Sequence, residues 1–559
     1  MRATAFVIAV PVTVVLALVT GCAERASPTA STTPACASAS ATGIALAVGA
    51  DTAVDPAADS GCVAFPANST GDTTEYLLVA QSAGGAPGDS AAYELRSTSV
   101  AAGAAPVRLA VAALLASRGP VSRGFGRFLH ELARTHGAGL RPPVRPAPAA
   151  RAAMGGRIVA AVVPPALNSL RQFTVCGSLT CGTFKTVTAR VRAVGAHVAI
   201  YVDTLAPAGG LDSAAIDSLA ATFDTHVYDV DTAAFGSVSD IDSNGVVLTV
   251  MTPVVNSLVT AAECERGGYV SGFFFPLDLD PLTSSQYNHG EIFYTVVADP
   301  TGSLSCAHSV ADVETTLPGT FLHELQHIIG FNQHVLLRGG TVEDLWLDEA
   351  LSSFGEELGG QSYLPNEARY SQFVVPLLYN ASQYYASPQS YFLFQTGDTV
   401  LAEFGAGWLF VRYLVDQYGS SLTNRLEATT LTGTANVAAQ TGVPFATTAT
   451  NWALANWVSD LPGFTAPADL KYTSWAFRAT FASLHQQDPT DFPSNFPLVP
   501  LAVAGSQLNV AGYLRGGSPT YFLALQAPGA GAYTLQFSGA GGGVPASTVV
   551  PRLVVLRIR

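Results

Sequence analysis

The segment Thr320-Phe321-Leu322-His323-Glu324-Leu325-Gln326-His327-Ile328-Ile329-Gly330 constrains this chain more than any other. Two residues four apart share one face of an α-helix, with Cβ atoms about 5–6 Å apart. His323 and His327 can therefore turn their imidazoles to one metal ion, and Zn²⁺ suits such a pair. Glu324 lies one position around the helix, where its carboxylate faces a water on that metal instead of the metal itself. Phe321, Leu322, Leu325, Ile328 and Ile329 project to other sides and are expected to anchor the helix in a core. Gly330 is expected to end the helix in a left-handed conformation.

A catalytic zinc needs a third protein ligand and an open fourth position. The segment Trp346-Leu347-Asp348-Glu349-Ala350-Leu351-Ser352-Ser353-Phe354-Gly355-Glu356 supplies a candidate. Leu347, Leu351, Phe354 and Leu358 form an apolar stripe, which leaves Glu349, Ser353 and Glu356 on another face. Thr341 and Asp344, three apart, resemble a capping box at the start of that helix. Glu349 is therefore expected to join His323 and His327. A competing pattern, H-E-x-x-H-x-x-G-x-x-H, is met at Gly330, but its third ligand falls on Gln333, and His334 stands one residue late.

The HELQH run and Trp346–Glu357 together resemble the gluzincin metallopeptidases. Within that group they are most similar to the hyicolysin-type peptidases, whose following helix resembles Phe404–Leu414. The similarity covers roughly 160–460. It implies an α+β fold: a zincin-like two-lobed metallopeptidase domain, flanked here by small β-rich modules. It also implies hydrolysis of peptide bonds in a protein or peptide substrate. Zn²⁺ would sit on His323, His327 and Glu349, with Glu324 as general base toward a zinc-bound water. A further donor is expected to stabilise the oxyanion; Tyr363, Tyr370, Tyr384, Tyr385 and Tyr391 are candidates by position. The exopeptidase motif G-x-M-E-N of aminopeptidase relatives is absent, so cleavage is expected to be internal. Two positions depart from the pattern: Asp348 stands where relatives often have Asn, and Ser353 where thermolysin has an Asp that orients a histidine ligand. The alternative is a catalytically inactive zincin-fold binding or scaffold lipoprotein, against which the intact His323, Glu324, His327 and Glu349 argue.

Arg2, an apolar run from Ala3 to about Val19, and Val19-Thr20-Gly21-Cys22 have the layout of a secretory signal. Cys22 after small residues resembles a bacterial lipobox. Residues 1–21 are thus expected to be a lipoprotein signal peptide, Cys22 the lipidated anchor to a membrane, and 22–34 a flexible tether. The expected location is the bacterial cell envelope, outside the cytoplasm. The run is short for a spanning helix, and Pro11 interrupts it. The other six cysteines form an even set suited to disulfides in an oxidising compartment, and the simplest pairing is 36–62, 176–181 and 264–306. A net charge of −14 argues against a nucleic-acid partner, since binding polyphosphate needs a basic surface, and none is expected. The protein is expected to be a monomer.

With 559 residues the chain can hold two or three domains. Residues 35–105 carry short β-type runs and read as an N-terminal β-sandwich-like module. Residues 106–155 concentrate arginine and, in their second half, proline; they read as a linker or prosegment with a short helix from Phe125 to Leu132. Residues 156–480 read as the zincin domain, strands first and helices later. Residues 495–559 read as a C-terminal β module. Asp240-Ile241-Asp242-Ser243-Asn244-Gly245 has the D-x-D-x-N-G spacing of a Ca²⁺ loop, with Asp240, Asp242 and Asn244 as candidate ligands. Met251 stands where an EF-hand needs Glu, so an EF-hand is excluded.

Overall fold

The computed structural model describes residues 36, 41–101, 103–109, 121–137, 162–265, 268–395 and 400–559. The signal peptide, Cys22, the tether and the Pro-rich half of 106–155 lie outside the described residues.

The chain is mixed α+β. Alternating apolar runs from its two ends build a single β-sandwich. One sheet has Cys62–Phe65, Tyr533–Gly539, Ser90–Ser97 and Asn509–Arg515 at its centre. The other has Thr74–Ser82 between Pro519–Gln526 and Pro551–Arg557. Leu78, Leu95, Phe522, Leu535, Phe537 and Val555 are buried between them. The segments expected as separate modules, 35–105 and 495–559, therefore share both sheets. The physical reason is edge protection: Thr74–Ser82, buried along most of its length, needs a partner on each side, and both partners come from the far end of the chain. Gln81 Nε2 donates to Ala449 O (3.0 Å) and Tyr521 Oη to Ala453 O (2.7 Å), tying the sandwich to the helix Phe445–Val458.

Between the two halves of the sandwich lies the other α+β unit. Helix α1 (Val121–Gly137) precedes its strands. These are β1 (Leu170–Cys176), β2 (Phe184–Val194), β3 (Val198–Asp203), β4 (Val247–Met251), β5 (Gly272–Phe274) and β6 (Ile292–Thr295). They form one sheet in the order β5-β6-β4-β3-β2-β1, in which β3, β4 and β6 run parallel and β5 is an antiparallel edge. Buried β4 and β6 read as continuous apolar runs for that reason.

Four long helices follow: α2 (Val310–Gly330), α3 (Leu345–Gln361), α4 (Glu367–Ala386) and α5 (Leu401–Tyr418). Ser309 opens α2 with a capping box, its hydroxyl accepting from Asp312 N and Asp312 accepting from Ser309 N. Phe321, Leu322, Leu325, Ile328 and Ile329 are all buried, so the apolar faces of α2 do anchor it. Its contact with α3 depends on Gly359, where a Cβ would come within 2.1 Å of Leu322.

Two local expectations need correction. Gly330 is right-handed (φ −55°, ψ −46°), and the chain winds on through a wider π-helical turn, Phe331–Leu336. All six residues of that turn are buried, and continued intrahelical bonds satisfy backbone groups that water cannot reach. Asp344 is the first residue flanking α3, but its side chain makes no cap; its amide donates to Glu343 Oε1 at 2.7 Å. The three nearest-neighbour cysteine pairs are bridged as disulfides.

Candidate metal centre

Helices α2 and α3 pack side by side, and their polar faces meet. His323 Nε2 lies 3.2 Å from Glu349 Oε2. One donor atom each from His323, His327 and Glu349 fall within 4.8 Å of one another. That spread suits a single tetrahedral ion with bonds of about 2.0–2.2 Å to nitrogen and oxygen.

The other ring nitrogen of each histidine is also engaged. His323 Nδ1 is 3.0 Å from Glu356 Oε1, and His327 Nδ1 is 3.1 Å from Asp348 Oδ2. Carboxylates in these places fix ring orientation and raise imidazole basicity. Sequence reasoning missed both. Ser353 is buried and is not the orienting group; Glu356, two turns beyond Glu349 on the same face of α3, and Asp348 supply that function instead. The seven-residue spacing of Glu349 and Glu356 was the available signal.

The carboxylates also set the electrostatics of the cluster. Burial disfavours a charged His323, yet its bonds to Glu349 and Glu356 hold its pKa well above the ordinary value. Burial likewise opposes His327, but the Asp348 carboxylate brings it up to about 9. Burial would raise Glu349, and the neighbouring imidazoles hold it below its ordinary value. Buried carboxylates collected around two imidazoles thus favour positive charge between them, and the nitrogen and oxygen donors are those Zn²⁺ accepts. Glu324 differs. Burial pushes its carboxyl up, only partly offset by the two histidines, and its Oε2 accepts from Phe274 N on β5 at 2.9 Å. One carboxylate oxygen is thereby tethered to the edge strand.

All four residues face a cavity of about 530 Å³, also lined by Gly272, Phe273 and Phe274 of β5 and by Phe125, Gly126 and His130 of α1. None of the five tyrosines named above is among its lining residues; Tyr384 and Tyr385 are buried in the helical core, and Tyr269 lines the cavity instead. His334 is fully buried in the π-helical turn, its Nε2 3.3 Å from Glu427 Oε2, and does not line the cavity. A Cys264, Cys306 and His308 grouping has its two sulfurs joined in a disulfide, so no thiolate is free there.

The candidate Ca²⁺ loop changes membership. Carboxylate oxygens of Asp240, Asp242 and Glu291 lie within 4.8 Å of one another. Asn244 stays against the cluster: its Nδ2 donates to Asp242 Oδ2 at 2.6 Å, while its Oδ1 accepts from Val246 N at 2.8 Å. Glu291, just before β6, joins the group because β4 and β6 are parallel neighbours whose entries lie side by side.

No protein family matches this chain, and no curated protein matches it either.

Proposed function

We propose that the chain is a zincin-like, two-lobed zinc metalloendopeptidase. The supporting observation is the convergence of His323, His327 and Glu349 from two helices, with Glu324 beside them in one cavity. The sheet β1–β6 forms one lobe and α3–α5 belong to the other, with α2 between. Zn²⁺ bound by His323, His327 and Glu349 would supply a Lewis acid that polarises the scissile carbonyl and makes water acidic.

The protein's own groups do the rest. Edge strand β5 lines the cavity, and an extended peptide can add along its outer edge as a further strand, beside the Phe274 N–H that Glu324 already engages. Phe274 N–H holds Glu324 Oε2, which leaves Oε1 to take a proton from the attacking water and return it to the leaving amine. Asp348 and Glu356 keep the imidazoles turned inward. Bound-metal analysis together with casein digestion tests this reading. It requires one zinc per chain and internal fragments that disappear under a chelator. Zinc without proteolysis would favour the scaffold alternative, and hydrolysis confined to non-peptide amides would move the substrate class. Export with a lipid anchor on Cys22 is part of the same proposal, supported by the three disulfides.

The Asp240, Asp242 and Glu291 cluster is proposed as a Ca²⁺ site. Glu291 is 1% exposed, and its Oε2 lacks a well-formed hydrogen bond. The Ser239 hydroxyl and the Ile241 amide offset only part of the cost of burying this carboxylate, and a cation would meet more of it. Millimolar Ca²⁺ is expected to raise Tm by about 2 °C, since ligand at about 100 Kd adds about 2.7 kcal/mol and a chain of 559 residues unfolds with about 1.2 kcal/mol per kelvin of entropy. Glu291→Gln should abolish the shift, and an unchanged Tm in the native chain would remove the site.

A further inference from the structure

We infer that α1 is a strap built into the chain that covers the metal centre and must lift for substrate to enter. The inference rests on the peptidase reading above and adds a regulatory element to it.

The helix is amphipathic, and its apolar face is spent on the cleft. Phe125, Leu129 and Ala133, spaced by four, are buried, while Arg127, Glu131 and Arg134 are exposed. The Phe125 ring meets Phe273 of edge strand β5 edge-to-face at 5.0 Å. That strand is where an extended peptide would pair. His130 Nε2 donates to Glu343 O at 2.8 Å and lies 3.9 Å from Asp348 Oδ2, the carboxylate behind His327. Between these anchors α1 passes directly over the zinc ligands. A Cβ built on Gly126 would lie 3.9 Å from Glu349 Oε1.

The helix therefore walls the cavity of about 530 Å³ on the side of Glu349. A short peptide segment fits that space, but a longer extended substrate along β5 would need the volume in which α1 now lies. Among the described residues, the polar contacts from α1 to the rest of the site are those of His130 with Glu343 and Asp348, and of His136 Nδ1 at 3.8 Å from Asp280 Oδ2. The remainder is apolar burial against ground that a substrate side chain would also favour, so helix and substrate compete for one groove.

Gly126 gives a clean test. A methyl there makes ordinary contact at 3.9 Å from Glu349 Oε1, whereas a leucine would push three more carbons into the space between α1 and the buried carboxylate. Leucine is also a better helix former than glycine, so Gly126→Leu weakens docking without weakening the helix. If the docked form holds about 90% of molecules, ligand affinity is reduced about tenfold, and release restores it. The full chain loaded with one zinc is assayed with a fluorescent peptide hydroxamate for binding and a quenched peptide for cleavage. Gly126→Leu is expected to bind the hydroxamate about tenfold tighter and cleave about tenfold faster, with Gly126→Ala behaving as the native chain. Phe125→Ser, which removes the main apolar anchor, should do the same. Tighter hydroxamate binding with no cleavage by any form would keep the strap and overturn the peptidase reading. Equal binding and cleavage by all forms would keep the peptidase and overturn the strap. Loss of folding and zinc in both variants would make α1 a permanent wall, which also overturns it.

Discussion

Glu324→Gln is expected to lower the hydrolytic rate by about 10³-fold while leaving zinc bound at one equivalent, because positioned general bases contribute on that scale. The substitution preserves shape. Its amide keeps an oxygen to accept Phe274 N–H, so the tether to β5 survives. What it loses is the capacity to take a proton. The expected pattern is therefore a kcat effect with little change in KM and no change in metal content, read by steady-state kinetics beside atomic absorption. Loss of zinc from this variant would make Glu324 a ligand and would exchange its role with that of Glu349.

The second large effect is a ranking of zinc affinities. Structural zinc sites bind with about 10–16 kcal/mol shared among four ligands, so one ligand is worth about 10²–10³-fold. Glu349→Ala should reach the upper end of that range. Glu356→Ala should cost less, about 10-fold to 100-fold, because it frees the His323 ring without removing a donor. His334→Ala should leave zinc affinity unchanged, since that imidazole faces Glu427 outside the cavity. Competition against a chromogenic chelator orders the three. Zinc loss on His334→Ala with retention on Glu349→Ala would support the competing H-E-x-x-H-x-x-G-x-x-H pattern.

Much of the centre was legible because helical spacing is a local property. His323 and His327 share a face by periodicity alone, and the apolar stripe of α3 leaves Glu349 on the opposite side. Neighbouring cysteines are likewise close in the chain, and their three disulfides follow the simplest pairing. What escaped was set by contacts distant in sequence. The sandwich joins strands from the two ends of the chain, and neither half by itself reveals its partner. Glu291 reaches the Asp240 loop only because β4 and β6 lie side by side. Gly330 was misread because a C-terminal glycine signal cannot report that the following six residues are buried and continue to wind. The tyrosine candidates failed on a similar point, since position along the chain does not show which side of α4, or of the turns before and after it, faces the cleft. The helix near Phe125 was anticipated, but nothing local placed it over Glu349.

Anomalous diffraction at the zinc edge, from crystals of the full chain grown with zinc, tests the central claim most directly. The account predicts one strong peak bonded to His323 Nε2, a ring nitrogen of His327 and a Glu349 carboxylate oxygen at about 2.0–2.2 Å, with Glu324 outside bonding distance. A peak that excludes Glu349, or that takes Glu324 or His334 as a ligand, would contradict it.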